Sequence, residues 1–168
     1  MQKFLDFCKN TYKEFYASLT NPKEFFKTMP VEGGYKAPIL YLLTLGFALG
    51  FIKFIFFAIF QASFRPDMIV MYMYYLICVA FFASVCAHPI IKLFKGERNF
   101  QTTFRVMSYA CSIAILELLT VLPTPFILGI MGSIIFAAIL GLVQWGWYSV
   151  ITYKALKEVH NIGKNKIV

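Results

Sequence analysis

Four polar side chains stand inside long apolar stretches, where chemistry has few other places to reside: Lys53, His88, Glu117 and Gln144. An ionisable group at membrane depth is costly, and it faces a protein interior or a watery path rather than lipid. Lys53 lies seven residues beyond Gly46, Glu117 seven beyond Ala110 and Gln144 seven beyond Ala137. Seven residues are about two helical turns, so each polar group shares a helix face with a small residue. Lys53 and Glu117 also fall at similar depth, near the outer ends of their helices. Two readings follow for this pair. In one, the ammonium and carboxylate meet across helices and cancel their charges; in the other, Lys53 snorkels to the outer surface. Lining a shared path with Gln144, the same groups would suit ion or proton transfer.

His88 precedes Pro89 about one turn from the end of its apolar stretch. The proline loosens that turn, and the imidazole is expected to donate to a freed carbonyl. Metal binding would need partner ligands at suitable spacing, and none is placed nearby. Cys8, Cys78, Cys86 and Cys111 form no CxxC and no Cys/His cluster. Three of them read as small packing residues, and Cys8 as an interfacial residue or a lipidated thiol. Neither a nucleophile–base–acid set nor a phosphate-binding glycine loop is present. The expectation is therefore a protein that is not an enzyme and takes no cofactor and no metal.

These side chains need elements to position them. The chain has 168 residues, 60% hydrophobic and only 14% charged, against roughly a quarter charged in soluble domains. Apolar runs cover about Pro38 to Phe60, Met68 to Ile91, Val106 to Leu122 and Phe126 to Tyr153. About 20 apolar residues span a hydrocarbon core of ~30 Å. The reading is an all-α, polytopic transmembrane helical bundle with four crossings. The last run would supply a fifth if it broke near Gly141 or Gly146, but no charged or turn-forming loop interrupts it. Pro123-Thr124-Pro125 should turn the chain before it.

Charge placement supports the even count. Before the first run lie Lys3, Lys9, Lys13, Lys23, Lys27 and Lys36; between the second and third, Lys92, Lys95, Arg98 and Arg105; after the fourth, Lys154, Lys157, Lys164 and Lys166. Only Arg65 falls on the opposite side. The positive-inside rule then places both termini in the cytoplasm. The net charge of +8 follows from this asymmetry and suits anionic lipid, with no nucleic acid needed.

Helices in lipid associate through small residues. The expected contacts are the Gly46/Gly50 pair, and a ridge of Gly129, Ser133, Ala137 and Gly141 pointing into the bundle. Ala80, Ser84 and His88 share the same spacing on the second run. Trp145, Trp147, Tyr148 and Tyr153 read as an aromatic belt at the inner membrane boundary.

Residues 3–19 repeat Phe4, Cys8, Tyr12, Phe15 or Tyr16, and Leu19 at helical spacing, with lysines opposite. Such an amphipathic helix suits the headgroup boundary, or packs on its own membrane domain. Asn21-Pro22-Lys23-Glu24 is a helix start with a capping-box pattern. The organisation expected is a cytoplasmic amphipathic segment 1–36, a transmembrane domain 37–158 and a cytoplasmic basic tail 159–168.

Three short segments, Asn21-Pro22-Lys23-Glu24-Phe25-Phe26, Phe104-Arg105-Val106-Met107-Ser108-Tyr109 and the stretch from Lys154 to Asn161 containing Val159-His160, come in this order. They resemble the NP-x-x-FF opening, F-R-x-x-x-Y segment and terminal Val-His pair of the Yip family. These are polytopic membrane proteins named for interacting with Ypt/Rab-type small GTPases. The resemblance covers about residues 20–165. Eukaryotic members add a long acidic or Pro-rich tail and an Asp-Leu-Tyr-Gly-Pro motif, both missing here, and are usually drawn with five spans. The chain therefore looks like the short prokaryotic branch, and the GTPase link is not carried over. The functional expectation is a membrane-organising scaffold or adaptor that meets the bilayer, a protein at the cytoplasmic face, or a second copy of itself. The alternative is a small oligomeric transporter or channel using Lys53, Glu117 and Gln144.

Overall fold

A computed structural model describes residues 2–30, 34–60, 64–96, 98–118 and 124–160, with side chains described except at 3–8, 60 and 124–133. Among the described residues every regular element is helical. The order is α1 (Gln2–Thr20), α2 (Pro22–Thr28), α3 (Lys36–Phe60), α4 (Asp67–Leu93), α5 (Phe100–Ala110), a 3-10 segment (Cys111–Glu117) and α6 (Thr124–Val159).

Three of these helices contain stretches long and apolar enough to cross a membrane: Lys36–Ile59, Asp67–Leu93 and Ile134–Val159. The last apolar run is a single helix of 36 residues, about 54 Å at 1.5 Å per residue. It outruns the hydrocarbon core, and its final turns (Ile151, Ala155, Leu156, Val159) are buried against the rest of the protein. Phe126 to Tyr153 thus forms one helix rather than two.

The expected third span is built differently. Its helix begins at Phe100, so residues up to Arg105 lie in a helix rather than in a polar connection. After Ala110 the chain tightens into the 3-10 form. Ser108 donates to the Phe104 carbonyl at 2.8 Å and Ser112 to that of Tyr109 at 2.5 Å. Such back-bonding competes with the regular ladder where the winding changes. This stretch is the centre of the fold: residues 102–114 are all buried.

The Gly46/Gly50 pair explains how α3 meets α4. A Cβ on Gly46 would stand 2.7 Å from Met73 Cα, and one on Gly50 2.7 Å from Ile69 Cα. Backbone thus lies directly on backbone, as small-xxx-small pairs permit. The second such ridge does not behave as expected. Ala137 is exposed, and the position of a Cβ on Gly141 meets nothing within 4 Å. That part of α6 faces away from the other helices, because four-residue spacing supplies a flat face but not a neighbour. The side chains at Gly129 and Ser133 lie outside the described residues, as do Cys8, Pro123 and most of the tail.

The amphipathic α1 packs on the helical domain with one face. Ser18 is buried, its hydroxyl 2.6 Å from that of Ser112 on the 3-10 segment. Tyr12 and Tyr16 project outward from the other face. Asn21 and Pro22 take the N-cap and first positions of α2, but the Asn21 side chain makes no cap bond. A single apolar core joins Phe26 and Met29 of the N-terminal segment to Leu42, Leu76, Val106 and Val159.

Candidate functional site

Three of the four intramembrane candidates converge. Glu117 ends the 3-10 segment, Lys53 lies on α3 and Gln144 on α6. Lys53 Nζ lies 3.4 Å from Glu117 Oε2, with both side chains largely shielded. Gln144 Nε2 donates to the other carboxylate oxygen at 3.3 Å. A fourth member joins them: Tyr72 of α4 accepts from Lys53 and donates to Glu117 Oε2 at 3.2 Å. The Lys53 ammonium also stands 4.2 Å from the Tyr72 ring centroid, within cation–π range.

The arrangement is neutral overall and engages both carboxylate oxygens. A lone charge at helix centre costs about 2.5–3.5 kcal/mol on insertion scales, and mutual pairing offsets that cost. One group therefore comes from each of α3, α4, the 3-10 segment and α6, which fixes the four relative to one another. Tyr72 is the residue that sequence reasoning missed. The signal was present: Tyr72, Leu76, Ala80, Ser84 and His88 recur at four-residue spacing, and Leu76, Ala80 and Ser84 are buried.

A cavity of about 80 Å³ opens beside this cluster, lined by Tyr75, Cys111, Glu117, Gln144, Trp145 and Tyr148 among others. Trp145 therefore stands at the depth of the Lys53–Glu117 pair, not at the inner boundary assigned to the aromatic belt. Tyr148 turns inward, donating to Met107 Sδ at 3.3 Å. Tyr153 shares a pocket with Phe94 and Lys157, near the end of α6.

His88 belongs to a separate network. Its Nδ1 lies 3.0 Å from Thr103 Oγ1, and that oxygen lies 3.2 Å from His160 Nε2. The bond goes to a hydroxyl on α5, not to a carbonyl freed by Pro89. A hydroxyl has one proton to give, so Thr103 can donate to only one of the two rings. His160 is completely buried, and its Nδ1 has no partner among the described residues. Buried orphan acceptors are less costly than orphan N–H groups, which assigns the proton to His160 Nε2. Thr103 then donates to His88 Nδ1. Burial, reinforced by His88, Lys92 and Arg98, pushes the His160 imidazole down to about 4. His160 is neutral at physiological pH.

Around Thr103, α5 gathers α2, the start of α3 and the end of α6. Arg105 is buried, donating to the carbonyls of Pro30 and, at 3.0 Å, Gly34. Tyr109 makes edge contact with Phe25 at 5.2 Å and lies 4.7 Å from the Tyr41 ring. Phe104 stands against Tyr35 at 5.7 Å. Phe26, one of the most buried residues, sits on α2, which packs on α6. The NP-x-x-FF, F-R-x-x-x-Y and Val-His segments thus meet at one place, with the middle segment as the hub.

A family model described as the Yip1 domain matches residues 16–168. The chain belongs to the Yip1 domain family. The match starts within α1 and takes in every later helix. No curated protein matches the chain, and no solved structure does. The three segments of this Yip1 domain thereby acquire a physical role, since the aromatic pair, the buried arginine and His160 tie α2 and the end of α6 to α5. The multi-pass membrane character follows from family and helices together.

Proposed function

We propose that the chain is a non-enzymatic scaffold or adaptor, crossing the bilayer four times with both termini in the cytoplasm. The observation behind this reading is the hub on α5. It fixes α2 and the end of α6 side by side, which makes a rigid platform at one end of the bundle. Lys23, Lys27, Lys92, Lys95, Lys154 and Lys157 stand exposed around that platform, while the Arg65–Asp67 pair marks the opposite end. A basic platform beside a membrane suits anionic lipid headgroups or an acidic protein surface. The polar groups within the bundle, in contrast, are engaged with one another.

Photo-crosslinking residues at positions 23 and 154, in native membranes, test the platform. A scaffold gives one common protein adduct from both, lost when Arg105→Gln loosens the hub. No adduct, or the same adduct from the lipid-exposed positions 70 and 142, overturns the proposal.

The cavity beside Glu117 and Gln144 favours a second reading, transport along the polar cluster. Single cysteines at 53 and 117 distinguish the two. Protection from a water-soluble thiol reagent supports the scaffold; labelling of both favours a hydrated path. A second copy of the chain could seat on the exposed face of α6 near Ala137 and Gly141, where disulfide formation through Ala137→Cys would report it.

A further inference from the structure

Two cavities meet between α1 and α3. The first, about 400 Å³, is polar at its rim and lined by Asn10, Thr11, Glu14, Lys36, Leu40 and Tyr41 with Ala37. The second, about 270 Å³, is apolar and includes Phe15, Leu45, Ala48, Leu49, Ile52 and Ile115 in its walls. Thr11 and Tyr41 line both, so the two adjoin and together make a recess extended along α3.

Its shape follows from helix geometry. Tyr41, Leu45, Ala48 and Ile52 lie on successive turns of α3, so the apolar part runs along that helix for about 16 Å. Because α3 is one of the membrane-spanning candidates, the groove runs in the direction taken by lipid chains. The polar part sits at the start of α3, where a headgroup would lie. The Tyr41 hydroxyl asks nothing of a guest, since it is bonded to Ser112, which also meets Ser18. At the rim, Glu14 brings one negative charge and Lys36 one positive charge, with the Asn10 amide beside them.

We infer that this recess binds a single bilayer glycerophospholipid whose head bears both a phosphate and a primary ammonium. One acyl chain fills the groove, the phosphate faces Lys36 and the ammonium faces Glu14. An anionic headgroup without an amine satisfies Lys36 but sets its charge against Glu14. A free fatty acid leaves Glu14 unmatched in the same way. The zwitterionic head is the one that complements both charges, and a bound lipid would account for a groove left open between two helices.

The test uses the purified full chain in mild detergent, offered equal amounts of phosphatidylethanolamine and phosphatidylglycerol and then examined by native mass spectrometry. One retained phospholipid per chain is expected, with the ethanolamine lipid favoured by about fivefold, the size of effect a partly exposed ion pair gives. Ala48→Trp fills the groove from an exposed position and should reduce retention to background. The Tyr109 hydroxyl bonds the Glu14 side chain; Glu14→Gln preserves that acceptor while removing the charge, so it should keep the lipid but bring the ratio near one. Retention unchanged in Ala48→Trp, or an unchanged head preference in Glu14→Gln, overturns the assignment. A lipid-free dimer of the wild-type chain overturns it too, giving the groove to a second copy.

Discussion

Lys53 Nζ and Glu117 Oε2 stand 3.4 Å apart although 64 residues separate them in the chain. Breaking a shielded pair by removing one partner costs about 3–5 kcal/mol, whereas replacing both with apolar groups of similar shape is close to neutral. Lys53→Met and Glu117→Leu should each lower the melting temperature in detergent clearly. The double variant should recover most of the loss. A double as unstable as the worse single would show that the two groups act separately.

The close approach at Gly46 makes an equally sharp contrast. Gly46→Ala puts a methyl 2.7 Å from Met73 Cα, so α3 and α4 must separate; overpacking of this kind costs about 1–3 kcal/mol. Gly146→Ala meets open space and should be neutral or stabilising by up to about 1 kcal/mol, the intrinsic helix preference for alanine. Thermal unfolding of the two variants in parallel checks this.

His160 sets an acid limit on stability. Its folded pKa of about 4 lies below the unfolded value near 6.5. The folded state therefore binds fewer protons, and stability is fully present above about pH 6.5 and lost as pH falls toward 4. His160→Asn should flatten the melting temperature between those values while lowering it at neutral pH. Glu14 acts with the opposite sign. Burial raises its pKa, so its share of stability is present at low pH and lost as pH rises through the folded value.

Arg105→Lys tests the hub by geometry at constant charge. Arg105 reaches two carbonyls with separate nitrogens, which a single ammonium on a flexible stem reproduces poorly. The expected result is faster proteolysis between α2 and α3 with the membrane helices still protected. Identical digestion patterns would remove Arg105 from the role given to it.

The sequence is informative where a single helix decides the outcome. Seven-residue spacing placed Lys53, Glu117 and Gln144 on faces that the fold brings together, and hydropathy gave α3, α4 and α6 within a few residues at most ends. Arg105 was hidden for a tertiary reason. It adjoins the basic connection, and the carbonyls of Pro30 and Gly34, some 70 residues upstream, help make its burial tolerable. The 3-10 turn was hidden as well, since serine back-bonds become informative only once the winding is known. Tyr72 was not singled out, although its phase with Ala80 and Ser84 marked it. The described half of the α6 ridge went the other way: Ala137 is exposed and a Cβ on Gly141 meets open space.

The meeting of α2, α5 and His160 has a consequence for biogenesis. Synthesis runs from the N-terminus, so α2 and Arg105 emerge well before the ring that closes the hub on Thr103. Insertion of α3 and α4 can proceed in the order of translation, but the hub end of the bundle stays unlatched until residue 160 has left the ribosome. A ribosome stalled before that point should hold inserted helices whose N-terminal segment is still open to proteases and chaperones, and release of the last turns would act as the closing step of assembly.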